Sequence, residues 1–421
     1  MLRRVTSVIA LLASFSILCL GHGLQSVLLP ARADLMHFSG VLIGGLMSSY
    51  YVGFIAGTFV CPWLIARVGH IRVFAAAAAG ASAIMLAHSL TLHPLAWLLL
   101  RAIYGLCLVH LYTVMESWLN RIVDQDTRGR ILSVYMIINF ISMSLGQMLF
   151  FLAPADGFEL FAISSMLLSL ALVPLILSRI EQPTPIEAPQ TLGVRRLLAI
   201  SPLSVAGALA AGLMGSAYWG LTAAYVINLG FPPHDAAWFM AAGLMGGLLT
   251  QWPLGALSDR IGRRQVIMLA SALVLSASLA LALTALWSSP SATFGMGWLL
   301  VWSMLFGAGL HPLYSLCIAH ANDFVGPEYF VRASVGLQLI QSVGAIIGPL
   351  AAGAMIHAAG QSMLFFYLAL LAGALILYDL ARIAKGRMPA FTKPFRLLTR
   401  TGLLAVMMDP RYRRRKEQPP G

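Results

Sequence analysis

The sequence Gly255-Ala-Leu-Ser-Asp-Arg-Ile-Gly-Arg-Arg264 stands between two apolar runs, and a weaker copy of it occurs in the first half of the chain. The copy, Pro62-Trp-Leu-Ile-Ala-Arg-Val-Gly69, begins 193 residues earlier. At an offset of 202, the run from Arg130 to Gly146 matches the run from Arg332 to Gly348. Two related offsets indicate an internal duplication. We therefore predict two similar halves, related by a pseudo-two-fold axis.

The composition places both halves in a membrane. Of the 421 residues, 59% are apolar and 10% are charged, whereas soluble domains average about 45–50% apolar and about 25% charged residues. So few charged residues could not cover the surface of a soluble protein of this size. Composition therefore excludes a soluble enzyme and a disordered protein, and it indicates several membrane-spanning segments.

Twelve apolar runs are long enough to cross a bilayer as helices, each of which needs about 20 residues. We predict spans at residues 5–29, 40–65, 73–90, 95–118, 131–152, 158–178, 199–229, 236–257, 265–286, 294–319, 334–356 and 362–381. The stretch after the sixth run is rich in proline and charge, as is typical of a linker. The predicted fold is therefore an all-α membrane protein with twelve transmembrane helices in two pseudo-symmetric six-helix halves. Its predicted parts are an N-terminal half at 1–180, a cytoplasmic linker at 181–198, a C-terminal half at 199–384 and a basic cytoplasmic tail at 385–421.

The basic residues indicate which side of the membrane each loop occupies. If both chain ends are cytoplasmic, 25 of the 27 Lys and Arg residues fall in cytoplasmic segments, while Arg32 lies outside and Arg101 lies within a span. Cytoplasmic loops of membrane proteins carry such an excess. We therefore predict a multi-pass protein with both termini in the cytoplasm. The net charge of +12 then reflects topology and contact with anionic lipid at this face and along the tail, and we predict no nucleic-acid partner.

Two motifs resemble those of a known family. The stretch from Gly255 to Arg264 resembles the loop signature of the major facilitator superfamily, and Arg101-Ala-Ile-Tyr-Gly105 on the fourth span resembles its R-x-x-x-G motif. Met115-Glu-Ser-Trp118, followed by Thr127-Arg-Gly-Arg130, is most similar to the YcaD-like bacterial branch. The resemblance implies a monomeric transporter of the bacterial inner membrane, with spans one, four, seven and ten lining the cavity.

The chain also departs from the family pattern. Ala66 and Pro62 replace the Asp and the leading Gly that the family usually carries in its first-half signature, so the cytoplasmic gate cannot use an acid at position 66. The antiporter motif G-x-x-x-G-P is missing from span five, and a similar string begins at Gly344 in span eleven. These departures weaken the interpretation as a drug/proton antiporter.

Arg101 is the first candidate for the substrate or proton pathway. A cation about 10 Å inside a span costs several kcal/mol unless it is paired or hydrated. We predict that it faces a water-filled cavity and binds an anionic group or couples to a proton site, although an arginine that reaches the lipid surface or pairs structurally remains an alternative. At 100° per residue, Tyr112 and Glu116 share its helix face. Glu116 is a candidate proton carrier, or else a partner of Arg121, Arg128 or Arg130.

Other polar or aromatic residues lie on the spans that the family resemblance places around the cavity. Imidazole transfers protons near neutral pH, but intramembrane histidines more often form hydrogen bonds between helices. Two tyrosines seven residues apart on span seven could stack on an aromatic substrate, with core packing as the alternative. The candidates added to the pathway are His22, Gln25, Tyr218, Tyr225, His311 and Tyr314.

The two signature loops are the predicted cytoplasmic gate. An acid just beyond a helix end can cap a neighbouring helix and pair with arginine. We predict that Asp259 meets the start of span five when the cytoplasmic side is closed, so that breaking these contacts opens that side. The alternative is that these charges serve topology alone. The gate residues are Gly255, Asp259, Arg260, Gly262, Arg263, Arg264, Arg67, Gly69, Arg128 and Arg130.

Together these features predict a secondary active transporter that moves a small organic molecule by alternating access. The sequence contains no P-loop, so we predict that the energy comes from a gradient, and titratable groups on cavity-lining spans favour protons. Export is slightly favoured over import. An uncoupled facilitator or an importer is the alternative within transport, and a membrane receptor or scaffold is the alternative outside it. We predict no enzymatic activity, no cofactor and no metal, because no catalytic or metal-binding spacing occurs.

Overall fold

The computed structural model describes residues 2–122, 128–177, 192–287, 290–326 and 329–384, apart from the side chains of residues 2–7, 120–122, 128–130, 132, 290, 292 and 331. All regular structure in these ranges is helical. The helices are α1 (Leu2–Leu35), α2 (Gly40–Val68), α3 (His70–Leu90), α4 (Pro94–Ile122), α5 (Arg128–Met148), α6 (Glu159–Leu170), α7 (Leu172–Leu177), α8 (Val194–Ile200), α9 (Pro202–Asn228), α10 (Asp235–Ile261), α11 (Arg263–Thr284), α12 (Pro290–Thr293), α13 (Met296–Asn322), α14 (Phe330–Ala359) and α15 (Met363–Ala384), with a 3-10 turn at Leu149–Leu152.

The helices agree with the predicted spans. Spans one to five are α1 to α5, span six is α6 with α7, spans seven to nine are α9 to α11, and spans ten to twelve are α13 to α15. Within the described ranges, ten segments are long and apolar enough to cross a membrane, and α8 with α9, bent by 119°, would be an eleventh. The remaining predicted span is α10, a helix of 27 residues that is not among these segments.

The duplication is visible in the helix packing. In the N-terminal half, α5 crosses α1 where Gly146 meets the carbonyl of Leu20, and in the C-terminal half, α14 crosses α9 where Gly348 meets the carbonyl of Leu213. The two leucines are 193 residues apart and the two glycines 202, so the offsets of the sequence recur in the contacts. A Cβ at either glycine would overlap the facing carbonyl. Small residues of this kind allow membrane helices to approach closely.

The two halves meet along a seam that is closed from the middle of the helices to the predicted external end. Between α1 and α9, Asn228 Nδ2 donates a hydrogen bond to Asp34 Oδ1 at 3.0 Å. Between α2 and α14, Ser48 Oγ donates to the carbonyl oxygen of Ile346 at 2.6 Å. We call these two contacts, together with the aromatic contacts of Phe151, the outer seam.

Phe151 completes the outer seam between the end of α5 and the start of α10. Its ring centroid lies 5.1 Å from that of His234 and 5.9 Å from that of Trp238. A cavity of about 590 Å³ lies beside the hydrogen bond between Asp34 and Asn228. Its lining residues are Asp34, Asn228, Leu35, His37, Phe38 and Gln361. Each of the three pairs of facing helices therefore contributes a contact to the closed external end.

The predicted linker ends in a short helix that packs against the C-terminal half. Leu192 N donates to the carbonyl oxygen of Arg332 at 3.1 Å, just before α8 begins. The guanidinium carbons of Arg196 and Arg332 lie 5.2 Å and 6.0 Å from the ring centroid of Tyr329. The segment at 192–200 is therefore attached to the start of α14.

Candidate functional site

A guanidinium lies buried between tyrosine rings in the N-terminal half. Arg101 is 2% exposed, and its Cζ lies 4.6 Å from the ring centroid of Tyr50 and 5.6 Å from that of Tyr104. Its Nη2 donates to Met47 Sδ at 3.0 Å, whereas Nη1 has no hydrogen-bond partner among the described residues. Aromatic faces attract a cation by about 0.5–2 kcal/mol each. No carboxylate of the described residues pairs with Arg101, so its charge is held by aromatic rings and the Met47 thioether. We call Arg101, Met47, Tyr50 and Tyr104 the Arg101 cage.

The R-x-x-x-G motif builds this cage. Gly105 lies one turn beyond Arg101 on α4, and its Cα packs against the carbonyl of Tyr50 on α2, where a Cβ would overlap that oxygen. The two backbones therefore approach closely at this point, which brings the Tyr50 ring under the guanidinium. The glycine of the motif thus positions the arginine.

His22 from α1 adjoins the cage, and Gln25 follows it on the same helix. The His22 ring centroid lies 6.2 Å from that of Tyr50 and 6.1 Å from that of Tyr104, and its Nδ1 lies 3.4 Å from the Tyr104 hydroxyl. Gln25 lies three residues further on, on the same helix face. It is fully buried, and neither atom of its amide has a hydrogen-bond partner among the described residues.

The C-terminal half has no such cage at the equivalent place. The two offsets relate Gln25 to Tyr218, Tyr50 to Gly243 and Arg101 to Ser303. The Tyr218 hydroxyl lies 3.1 Å from Ser303 Oγ and occupies the space that a side chain at Gly243 would need. The phenol of Tyr218 therefore fills the position that corresponds to the cation site.

Tyr218 and Tyr225 belong to the packing of the C-terminal half, the alternative that the sequence left open for them. Tyr218 stacks on Phe306 at 4.8 Å. The hydroxyl of Tyr225 donates to the carbonyl oxygen of Leu281 at 2.5 Å, and its ring lies 4.6 Å from that of Phe365. Neither residue meets Arg101.

Tyr112 and Glu116 continue from the cage toward the predicted cytoplasmic end. The Tyr112 ring lies 6.3 Å from that of His22 and 6.1 Å from that of Phe15. Phe15 stacks at 4.0 Å on Tyr135, whose hydroxyl donates to Glu116 Oε1 at 3.1 Å. Glu116 is 1% exposed. The predicted face of α4 therefore lies inside the N-terminal half, and its residues are joined by rings from α1 and α5.

His311 lies between the halves. Its ring centroid is 5.5 Å from that of Phe140 on α5 and 6.1 Å from that of Trp219 on α9. Tyr314, three residues further along α13, donates from its hydroxyl to Gln338 Oε1 at 2.9 Å. The structure thus places two groups of predicted pathway residues apart. The cage group on α1 and α4 consists of His22, Gln25, Arg101, Tyr112 and Glu116, and the seam group on α13 consists of His311 and Tyr314.

The second signature forms an ion-pair cluster at the predicted cytoplasmic end. Arg263 Nη1 lies 2.6 Å from Asp259 Oδ1, and its Nε lies 3.5 Å from Asp323 Oδ2. Arg263 is 2% exposed and also donates to Ser258, which in turn donates to the carbonyl oxygen of Gly255. Asp259 thus holds Arg263 within its own half. Its predicted contact with span five stays a prediction, because the side chains of Arg128 and Arg130 lie outside the described residues.

The other predicted gate residues have local roles. Arg264 Nε lies 2.5 Å from Asp379 Oδ1, and this pair links α11 to α15 within the C-terminal half. Gly69 and Gly262 have φ values of 85° and 103°, which favour glycine, at the turns that join α2 to α3 and α10 to α11. Arg67 lies 5.4 Å from the ring centroid of Trp63, and Arg260 is exposed.

Three residues of these sites were missed by the sequence reasoning. Tyr50 and Met47 lie on α2, outside the spans that the resemblance places around the cavity, and Asp323 follows the last apolar residues of α13. The offset of 193 could have drawn attention to Tyr50, because it aligns that ring with Gly243 opposite Ser303. Nothing in the sequence marks Met47.

Known proteins resemble this chain in sequence and in fold. A family model described as "Major Facilitator Superfamily" matches residues 11–226 and 204–408. The uncharacterized MFS-type transporter YcaD of Escherichia fergusonii is 26% identical over 365 residues, which cover 86% of this chain and 92% of the relative. The Salmonella typhi protein of the same name is 26% identical over 366 residues, with the same coverage.

Solved structures agree in fold. The nucleoside transporter NupG superposes with a TM-score of 0.71 at 15% identity, over 92% of this chain and 100% of that one. A bacterial homolog of the human lysosomal transporter Spinster, in an inward-facing and occupied conformation, gives 0.70 at 16% identity, over 91% and 98%. With two matches of the family model along its length, and the repeated helix packing described above, the chain belongs to the major facilitator superfamily of membrane transporters.

Proposed function

We propose that this protein is a secondary active transporter that moves a small organic molecule across the bacterial inner membrane by alternating access, coupled to protons, with export favoured over import. The observation that carries the proposal is the outer seam. Two halves of like packing touch at one end through side-chain hydrogen bonds and close helix packing, next to buried polar groups in their interior. Contacts of this kind are readily exchanged for a second arrangement, as alternating access requires.

The seam group supports proton coupling. His311 touches Phe140 from the opposite half and Trp219 from its own, so its surroundings change whenever the halves move. Imidazole is the side chain that changes charge near neutral pH. Glu116, buried beside Tyr135, is the second candidate for a proton site.

The proposal includes the placement of the chain. Both termini lie in the cytoplasm, the tail from residue 385 contacts anionic lipid, and the transporter is a monomer. The cluster of Asp259, Arg263 and Asp323 belongs to the cytoplasmic gate, and the outer seam is its external counterpart.

Uptake by reconstituted protein tests the function. Proteoliposomes receive a defined mixture of metabolites, and their lumenal contents are measured by mass spectrometry with the lumen more acidic than, equal to, or more alkaline than the medium. A proton-coupled exporter accumulates its substrate in an acidic lumen as protons leave. Equilibration without accumulation would indicate an uncoupled facilitator, accumulation in an alkaline lumen would indicate symport, and no uptake at all would favour a receptor or scaffold.

A reversible lock on the outer seam tests alternating access. In Asp34→Cys/Asn228→Cys, a short bis-methanethiosulfonate reagent should bridge the two positions, whose side chains are in direct contact. Bridging should abolish uptake, and a reducing agent should restore it. Asp34→Cys alone, treated in the same way, is the control and should keep its uptake. Unchanged uptake in the bridged protein would contradict the alternating-access mechanism.

A further inference from the structure

We propose that the Arg101 cage and Gln25 bind the carboxylate of a small organic monoanion, and that Met47 covers this site while the outer seam is closed. The inference rests on the proposed function and names the chemical class of its substrate. Each step below uses contacts of the described residues.

Two buried polar groups, on α4 and α1, have unused hydrogen-bonding capacity. The repeat offsets relate Arg101 and Gln25 to Ser303 and Tyr218, whose hydroxyl groups lie 3.1 Å apart, so we infer that the two side chains face the same space. Arg101 Nη1 and both amide atoms of Gln25 have no partner among the described residues, although the two side chains are 2% and 0% exposed. Buried polar groups are nearly always satisfied, so such exceptions require an explanation. A carboxylate could accept hydrogen bonds from both the guanidinium and the amide nitrogen.

Charge balance limits the ligand to one negative charge at this site. Among the described residues, Arg101 and Arg263 are the two buried arginines, and Arg264 is 13% exposed. Arg263 pairs with Asp259 and Asp323, and Arg264 pairs with Asp379. Arg101 has only aromatic faces and a thioether. A buried cation needs an anion, and a single carboxylate would neutralise this one.

The rings of the cage limit the directions from which a ligand can reach the guanidinium. The ring centroids of Tyr50 and Tyr104 lie 4.6 Å and 5.6 Å from Arg101 Cζ, so a ligand must approach from another side. The equivalent place in the C-terminal half is filled by the phenol of Tyr218, whereas the N-terminal half has the shorter amide of Gln25 there. The duplicated fold therefore carries one binding place and one packed copy of it.

Met47 connects this site to the outer seam. Its Sδ accepts the hydrogen bond from Arg101 Nη2, and its side chain packs against Gly220 of the opposite half, where a Cβ would overlap it. When α9 moves away from α2, Met47 loses this support and can release Nη2. Both Nη atoms then become available to a carboxylate, which arginine prefers to bind with two parallel hydrogen bonds.

Thermal unfolding of the purified full-length protein in detergent tests the ligand class. The probes are lactate, octanoate and benzoate as sodium salts, each compared with its neutral amide, and sodium chloride at the same concentration is the control for an inorganic anion. At saturation, at least one of the three carboxylates should raise the midpoint by about 3 °C more than its amide. A shift by none of them, or an equal shift by the amide, would overturn the proposal, and an equal shift by chloride would assign the site to an inorganic anion.

Three variants test whether the carboxylate binds at Arg101 and Gln25. Arg101→Gln should lower the affinity for the active carboxylate at least tenfold, and Gln25→Leu should lower it by a smaller factor. Thr284→Val is the control, because it removes a hydroxyl far from the cage, the one to which Trp298 Nε1 donates. This variant should keep the ligand-induced shift even if its unfolding midpoint without ligand is lower. Equal affinities in Arg101→Gln and in the unaltered protein would remove Arg101 from the site.

A second pair of variants tests whether Met47 covers the binding site. Gly220→Ala pushes against Met47, while Gly215→Ala, on the same helix, adds its methyl to open space. The first should raise the apparent affinity for the carboxylate several-fold, and the second should leave it unchanged. Equal effects would contradict the role of Met47.

Failure of this inference can be told apart from failure of the proposed function. If benzoate binds through Arg101 but the proteoliposomes take up nothing under any gradient, the site stands and the transport proposal falls. If a neutral or cationic compound is taken up equally by Arg101→Gln and the unaltered protein, transport stands and the carboxylate site falls.

Discussion

Arg101 is buried with no carboxylate partner in the described part of the chain, so the protein's tolerance of this charge depends on the rings around it. Tyr50→Leu removes the closer ring, whereas Tyr50→Phe keeps the ring and loses only the hydroxyl. We expect Tyr50→Leu to lower the free energy of unfolding by about 1–2 kcal/mol more than Tyr50→Phe. Chemical denaturation in detergent measures both. Equal losses would show that the hydroxyl, and not the aromatic face, supports the guanidinium.

The second residue-scale prediction concerns the pair of Arg264 and Asp379. Their side chains are 13% and 1% exposed, and Arg264 bonds both the carboxylate and the carbonyl oxygen of Asp379. Asp379→Asn leaves a largely buried guanidinium without its counter-charge, and we expect it to cost about 3 kcal/mol. Asp235→Asn is the matched control, because Asp235 lies 3.7 Å from a half-exposed His234 and should cost less than about 1 kcal/mol. Similar losses of unfolding free energy in the two variants would contradict the predicted contribution of the Arg264–Asp379 ion pair.

At the scale of elements, the approach of α4 to α2 is set by Gly105. Gly105→Ala forces the two backbones apart and disturbs the Arg101 cage, so we expect a loss of about 2–3 kcal/mol in unfolding free energy. Gly373→Ala places its methyl 3.9 Å from the nearest atom, in ordinary contact, and should be nearly neutral. A neutral Gly105→Ala would mean that the close packing is dispensable, and the link from the motif to the cage would then fail.

The helices themselves could be predicted from the sequence because each is an apolar run that needs about 20 residues to cross the bilayer. The start of α2 was predicted at Gly40 and the end of α3 at Leu90, as the structure has them. Helix ends that leave the membrane were predicted less well: α1 continues to Leu35 and α14 starts at Phe330, because polar residues there extend the helices beyond the apolar runs. The helix α8 was missed, since its arginines gave it the composition of a linker.

The candidate site could be predicted only in part. Arg101 stands out because a charge in an apolar span is costly, and the helical period places Tyr112, whose ring lies 6.3 Å from that of His22, on its face. Which residues surround it depends on the contact between helices, and that contact depends on where glycines such as Gly105 fall. Tyr50 and Met47 look like ordinary apolar-span residues until α2 is packed against α4.

At the scale of the whole molecule, the two halves share their packing but differ in their contents. The N-terminal half holds an uncompensated cation and the C-terminal half holds a packed phenol at the equivalent place. Each half contributes side chains to the contact between the halves, such as Phe140 of the N-terminal half and His311 of the C-terminal half. In the proposed mechanism, the duplicated scaffold moves symmetrically while only one half binds the charged group, and the contact of Met47 with Gly220 couples movement to binding.

The last prediction concerns the closure of the outer seam, which also depends on contact between the backbones of α2 and α14. Gly44 on α2 packs directly on the carbonyl of Pro349 on α14, where a Cβ would overlap the oxygen. Gly44→Ala should therefore oppose closure by about 1–3 kcal/mol, and about 1.4 kcal/mol changes the ratio of closed to open molecules tenfold. Gly45→Ala, the adjacent position, meets Leu98 at 3.4 Å and is the control. Spin labels at Leu92 and Leu286, which are exposed on predicted external loops of the two halves, report the separation by pulsed electron paramagnetic resonance. The longer-distance population should grow in Gly44→Ala and stay unchanged in Gly45→Ala, and identical distributions in the two variants would show that this contact does not hold the external side closed.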